Sequence, residues 1–137
     1  MTSVISEIAR KLAYHGTTMG ALSITGITSI RTPFEPLVDG VRHVANTNSY
    51  RCKYCSETGD CTLACADEVA ETIEQEGPET VAMVIMEPVQ NSGGTFTPHP
   101  SYHQRVREIC DQYGVLPVAD EGICGFGRLG EWLGCQR

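Results

Sequence analysis

Lysine is the scarcest chemically useful residue in this chain. Ten basic residues divide into eight Arg and only Lys11 and Lys53, so any reaction that needs an amine has two places to find one. Aromatic residues make up 7% of the sequence, with a single Trp. No apolar run approaches the length needed to cross a bilayer, and the N-terminus has no signal-peptide core, so the chain reads as soluble and cytoplasmic, with no membrane partner. No Lys/Arg cluster stands out, and 17 acidic residues give a formal charge of −7. That balance excludes a binder of nucleic-acid backbones. Seven Cys is an odd number in a chain without an export signal, which argues against a complete disulfide framework.

The 137 residues are 41% hydrophobic with 14 Gly and 7 Pro, enough to bury one core. Residues 6–13 are weakly strand-like and lead into Tyr14-His15-Gly16. Residues 17–25 suggest the start of a helix capped by a threonine. From 26 to 58 the pattern dissolves around Pro33, Pro36, Gly40, Asn46 and Asn48, and the region 26–62 reads as one long Cys-containing loop, of the kind that serves function or an interface. Leu63, Ala66, Val69, Ala70 and Ile73 recur at helical spacing before Gly77-Pro78 stops the helix. Residues 80–86 are continuously apolar, as in a strand buried on both faces. A turn at 91–94, an amphipathic helix over 100–113 ending at Gly114, and a second short buried strand over 115–119 follow. This alternation predicts an α/β domain with a mostly parallel sheet and flanking helices. No closing element follows Arg128, so the end reads as a cut in a larger domain.

Ligands of open α/β sheets collect at the carboxyl ends of the strands. Three groups stand there: Tyr14-His15-Gly16, Glu87-Pro88 and Asp120-Glu121. Each taken singly can be an ordinary loop or cap residue; together they outline an acidic pocket with one aromatic wall. The blocks Tyr14 to Ser23, Met86 to Gln90, Val118 to Glu121 and Gly125 to Gly130, in this order, resemble the class III aminotransferases. These are pyridoxal 5′-phosphate enzymes of fold type I, the ω-transaminase group, and the likeness spans nearly the whole chain. It implies a central fragment of the large, cofactor-binding domain.

That resemblance assigns pyridoxal 5′-phosphate as cofactor and gives each group a role. Asp120 matches the aspartate that keeps the pyridine nitrogen protonated, so that the ring accepts electrons from the substrate. Tyr14 matches the residue stacked on the ring, and Gly16 lets the backbone approach. Glu87 matches a residue that organises the surrounding polar groups. His15 is open between a structural hydrogen bond and direct cofactor contact. The loop 125–130 would lead toward substrate and a dimer partner. An amino donor and a keto acid, often pyruvate-like, are the implied substrates, and the complete protein is expected to be a homodimer. Isomerases of the same family share these motifs and are not separated from transaminases by them.

Two departures qualify the likeness. Gly122 stands where the family usually carries valine, which costs apolar contact on one ring face. The lysine that carries the cofactor lies downstream of the aspartate in the family, and no lysine follows Lys53. The chain therefore holds no catalytic residue of its own, and alone it should not catalyse transamination; it is expected to expose apolar surface and dissolve poorly.

A second reading rests on Cys52-x2-Cys55-x5-Cys61-x3-Cys65. Four thiols within fourteen residues suit zinc or an iron–sulfur cluster. The plainer reading is four free thiols in a loop entering a helix, and the x3 spacing of the second pair is irregular for a zinc ribbon. Cys110 falls on the buried stripe of its helix.

Overall fold

The computed structural model describes residues 5–55 and 61–137. A sheet of four parallel strands has the order β2-β1-β3-β4. Its strands are β1 (Ser6–Arg10), β2 (Val41–Val44), β3 (Val81–Met86) and β4 (Leu116–Ala119). The connections carry α1 (Met19–Ile24) and α2 (Thr28–Arg31) between β1 and β2, α3 (Ala64–Glu76) between β2 and β3, and α4 (Tyr102–Tyr113) between β3 and β4. The chain thus leaves β1 toward one edge of the sheet and β3 toward the other. The strand order reverses between these two, and such a reversal opens a crevice at their carboxyl ends.

Alternation along the strands sorts side chains to two faces. Ile8, Val44, Val84 and Met86 join Val69 and Ile73 of α3 and Val106, Ile109 and Cys110 of α4 in one dry core. On the other face α1 contributes Leu22 and Ser23 to the interior, and His43 of β2 donates from Nε2 to the Ile24 carbonyl at 2.9 Å. Burial holds His43 below the usual histidine range, against the raising effect of that carbonyl.

The helices end as their sequences demand. Gly77 takes φ +91° after α3, and Gly114 takes φ +70° after α4, in the left-handed region that glycine enters without strain. Thr18 occupies the N-cap of α1, yet its side chain makes no capping bond; Ser23 bonds instead to the Met19 carbonyl at 2.8 Å.

Two expectations need correction. The stretch 26–58 is not one long loop: it contains α2 and the edge strand β2, paired in parallel with β1 from Glu7–Val41 to Arg10–Val44. Arg42 and His43 hid that strand, because an edge strand can carry polar residues that a buried one cannot. Residues 56–60 of that stretch lie outside the described residues. Nor is β4 buried. It forms the opposite edge, and Leu116 is 67% exposed. Among the described residues no helix is long and apolar enough to cross a membrane.

Candidate functional site

Parallel pairing puts the carboxyl ends of β1, β3 and β4 side by side, so the three groups singled out in the sequence meet at one edge. Tyr14, His15, Gly16, Glu87, Asp120, Gly122 and Ile123 line a cavity of about 240 Å3. A wider depression of about 490 Å3, bordered by Arg31 and residues 35–42, lies apart from these strand ends and has no aromatic wall.

Asp120 is fixed through both oxygens. Nδ1 of His15 lies 2.8 Å from Oδ2, and the Gly122 N–H donates to Oδ1 at 3.0 Å. The carboxylate oxygen is the acceptor of this pair, so Nδ1 carries a proton. The His15 side chain is 2% exposed, while that of Asp120 is 26% exposed. The histidine thus stands behind the carboxylate and the carboxylate faces the cavity. Each carboxylate oxygen offers more than one acceptor site, so Asp120 retains capacity for a further donor. Nε2 of His15 is buried without a partner.

The turn that delivers Tyr14 and His15 is held from several sides. Thr25, fully buried, accepts the His15 N–H at 3.0 Å and donates to the Gly16 carbonyl at 3.1 Å. A Cβ on Gly26 would lie 2.2 Å from the Arg10 carbonyl oxygen, and one on Gly93 equally close to the Leu12 carbonyl. Only glycine permits backbones to pack that tightly on residues 10–12. Glu87, 4% exposed, accepts the Tyr14 N–H at 3.3 Å on Oε1 and the Asn91 N–H at 2.8 Å on Oε2. Its carboxylate therefore ties the β1 turn to the β3 turn.

Four contributors escaped the sequence reading. Arg10 is wholly buried at the end of β1 and donates from Nη2 to the Glu87 carbonyl at 2.6 Å. Burial lowers its pKa, against the raising influence of Tyr102 and of the Glu87 carboxylate. Gln90, also wholly buried, donates to the Lys11 carbonyl at 2.7 Å. Cys124 accepts from Asn91 Nδ2 at 3.3 Å, and Thr25 completes the set. The one signal of these in the sequence was an arginine directly after the apolar pair Ile8-Ala9 at the end of β1. Glu121, next to Asp120, turns away and accepts the N–H groups of Gly134 and Cys135 at 2.9 and 2.8 Å.

The cysteines behave differently. Cys52, Cys55 and Cys65 are buried, Cys61 is partly exposed, and all are free thiols. Among the described residues no three His, Cys, Asp or Glu side chains are arranged to hold a metal ion. Lys53 bonds to Glu68 Oε1 at 3.2 Å, and neither lysine lines the cavity.

The family model for class-III aminotransferases matches residues 4–137. A probable aminotransferase of Mycobacterium tuberculosis is 53% identical over 129 residues, which cover 94% of this chain and 28% of that protein. The hypotaurine/taurine–pyruvate aminotransferase of Paracoccus denitrificans is 40% identical over 125 residues, covering 90% of this chain and 27% of its own. The structure of the ω-transaminase of Pseudomonas jessenii in complex with PMP superimposes with a TM-score of 0.89 at 36% identity, over 96% of this chain and 29% of that one. The chain spans less than a third of the length of these relatives.

Proposed function

The chain belongs to the class-III aminotransferases, and on that premise we propose that residues 1–137 form a central part of the large domain that binds pyridoxal 5′-phosphate in a transaminase. The observation that carries this reading is Asp120, held through both oxygens by His15 and Gly122 while it faces the cavity that Tyr14 lines. Those residues fit the cofactor: a flat ring needs an aromatic wall, and a pyridine nitrogen needs a carboxylate with free acceptor capacity. Bound there, the cofactor supplies an electron-accepting ring that stabilises negative charge on the substrate carbon.

The protein's own residues do the rest. Asp120 holds the proton on the ring nitrogen. His15, 2.8 Å away through Nδ1, keeps that carboxylate pointed at the cavity. Tyr14 covers one ring face and excludes water from it. Glu87 and Arg10 fix the turns on which Tyr14 stands. The amine that anchors the cofactor is supplied by sequence beyond these residues, since Lys11 and Lys53 stand outside the cavity. The complete protein works as a cytoplasmic homodimer that moves an amino group from an amine or amino acid to a pyruvate-like keto acid.

The test is expression of the complete reading frame around this chain with added pyridoxal phosphate. Cofactor uptake is followed by absorbance, and alanine formation from pyruvate is followed with a panel of amines that includes taurine and putrescine. Stoichiometric uptake and donor-dependent alanine support the proposal. A protein that neither retains the cofactor nor transfers an amino group to any keto acid overturns it.

A further inference from the structure

The thiols left unused by the strand-end site have a geometry of their own. Cys52 follows the 3-10 turn at 49–51, its N–H donating to the Ser49 carbonyl at 3.4 Å, and the Cys55 N–H returns to the Cys52 carbonyl at 3.3 Å. This reverse turn brings the two Sγ atoms to 3.2 Å, in hydrogen-bond contact. A disulfide is about 2.05 Å long, so closure asks for a little more than one ångström of side-chain rotation, which a turn of this kind allows. Both residues are buried, at 8% and 6% exposure.

The neighbouring thiol is a poor competitor. Cys65, on the first turn of α3, is pushed up to about 12 by burial and by the negative charge its neighbours Cys52, Cys61 and Cys55 would carry. It stays protonated near neutral pH and lacks the thiolate that oxidation requires.

We propose that Cys52 and Cys55 form a reversible oxidation site that responds to hydrogen peroxide. One thiolate displaces hydroxide from the peroxide and becomes a sulfenic acid; the second thiol attacks that sulfur and expels water. The sum is two thiols and one peroxide giving one disulfide and two waters, with two electrons passing from sulfur to oxygen. Closing so short a loop removes little chain entropy. The bond therefore adds little to stability and yields to ordinary thiols, as a switch does and a structural disulfide does not. The inference is independent of the cofactor proposal, because none of its atoms lines the strand-end cavity.

The experiment uses the complete protein, reduced and desalted, then treated with peroxide, blocked with N-ethylmaleimide and digested with trypsin without reduction. Lys53 lies between the two cysteines, so cleavage after it leaves them on separate peptides joined only by a disulfide. The expected product is that linked pair, with the bond mapped to Cys55 by fragmentation, absent from Cys52→Ser, retained in Cys61→Ser and reversed by dithiothreitol. If Cys52→Ser does not fold, the mapping in the parent and in Cys61→Ser decides the matter. Absence of the linked pair after the exposed Cys135 has oxidised overturns the proposal. So does a bond mapped to Cys61 or Cys65, or stoichiometric zinc that shields the thiols in the protein as purified.

Discussion

Tyr14, Glu87 and Asp120 are far apart in sequence, whereas Cys52, Cys55, Cys61 and Cys65 fall within fourteen residues. The distant set converges on one cavity, and the near set forms no ligand group among the described residues. Nearness in sequence did not decide which set would assemble. Parallel strands in register fix where their ends lie, so residues that follow three adjacent strands meet regardless of the chain between them. A loop imposes no such order, and among the described residues Cys52 and Cys55 are the thiols brought into hydrogen-bond contact.

The largest expected effect separates the two regions at once. In the complete protein, Asp120→Ala should lower amino transfer about a hundredfold or more, the scale on which loss of one preorganised electrostatic partner acts. Cys55→Ser should leave the rate near that of the parent in reducing buffer. Steady-state rates with saturating cofactor check both, and equal losses in the two variants would erase the distinction.

Stability should show the same contrast. Glu87→Ala removes a carboxylate whose charge acts on the buried Arg10 and strands the N–H groups of Tyr14 and Asn91. Leaving buried donors without their acceptor costs about 1–3 kcal/mol, measured by urea denaturation of the complete protein. Cys61→Ser, at a partly exposed position, should stay within about 0.5 kcal/mol of the parent.

The sequence revealed most of this edge and little of what supports it. Val81 to Met86 and the helices at α3 and α4 were legible because buried elements must be apolar at a fixed period. Their polar neighbours Glu87 and Asp120 stood out against that background. Strand β2 was not legible, since Arg42 and His43 are tolerated on an edge. The exposure of β4 was not legible either: whether a short apolar strand is covered depends on what packs beside it, and Leu116 stays 67% exposed among the described residues. Arg10 and Gln90 are buried polar residues whose partners are backbone carbonyls of Glu87 and Lys11, and periodicity carries no trace of such bonds. The thiol spacing was plain, but spacing alone does not state how a loop folds.

A smaller effect concerns Gly122. A side chain there would pass 3.2 Å from Asp120 Oδ1 and meet no other close neighbour. Gly122→Val should tighten cofactor binding by about 1 kcal/mol through added apolar contact, read as a lower dissociation constant. Weaker binding would mean that the valine pushes Asp120 out of line.

The smallest effect is on pH dependence. Burial holds the His43 and His103 pKa values below the usual histidine range, and His103 Nε2 donates to the Pro88 carbonyl at 3.0 Å. Both histidines stay neutral in the fold while the unfolded chain takes up protons below about pH 6.5, so stability falls as the solution is acidified through that region. Urea midpoints at neutral and mildly acidic pH should show this fall, made shallower in His103→Gln. In the thiol segment, Cys65 with its pKa near 12 contributes no such slope.

The proposed function requires Asp120 to keep the cofactor's ring nitrogen protonated. Nitrogen-15 NMR of the complete protein loaded with cofactor labelled at that nitrogen tests it directly, comparing the parent with Asp120→Asn. The account predicts a protonated pyridine nitrogen throughout the neutral range in the parent and an unprotonated one in Asp120→Asn. The same nitrogen shift in both proteins would contradict it.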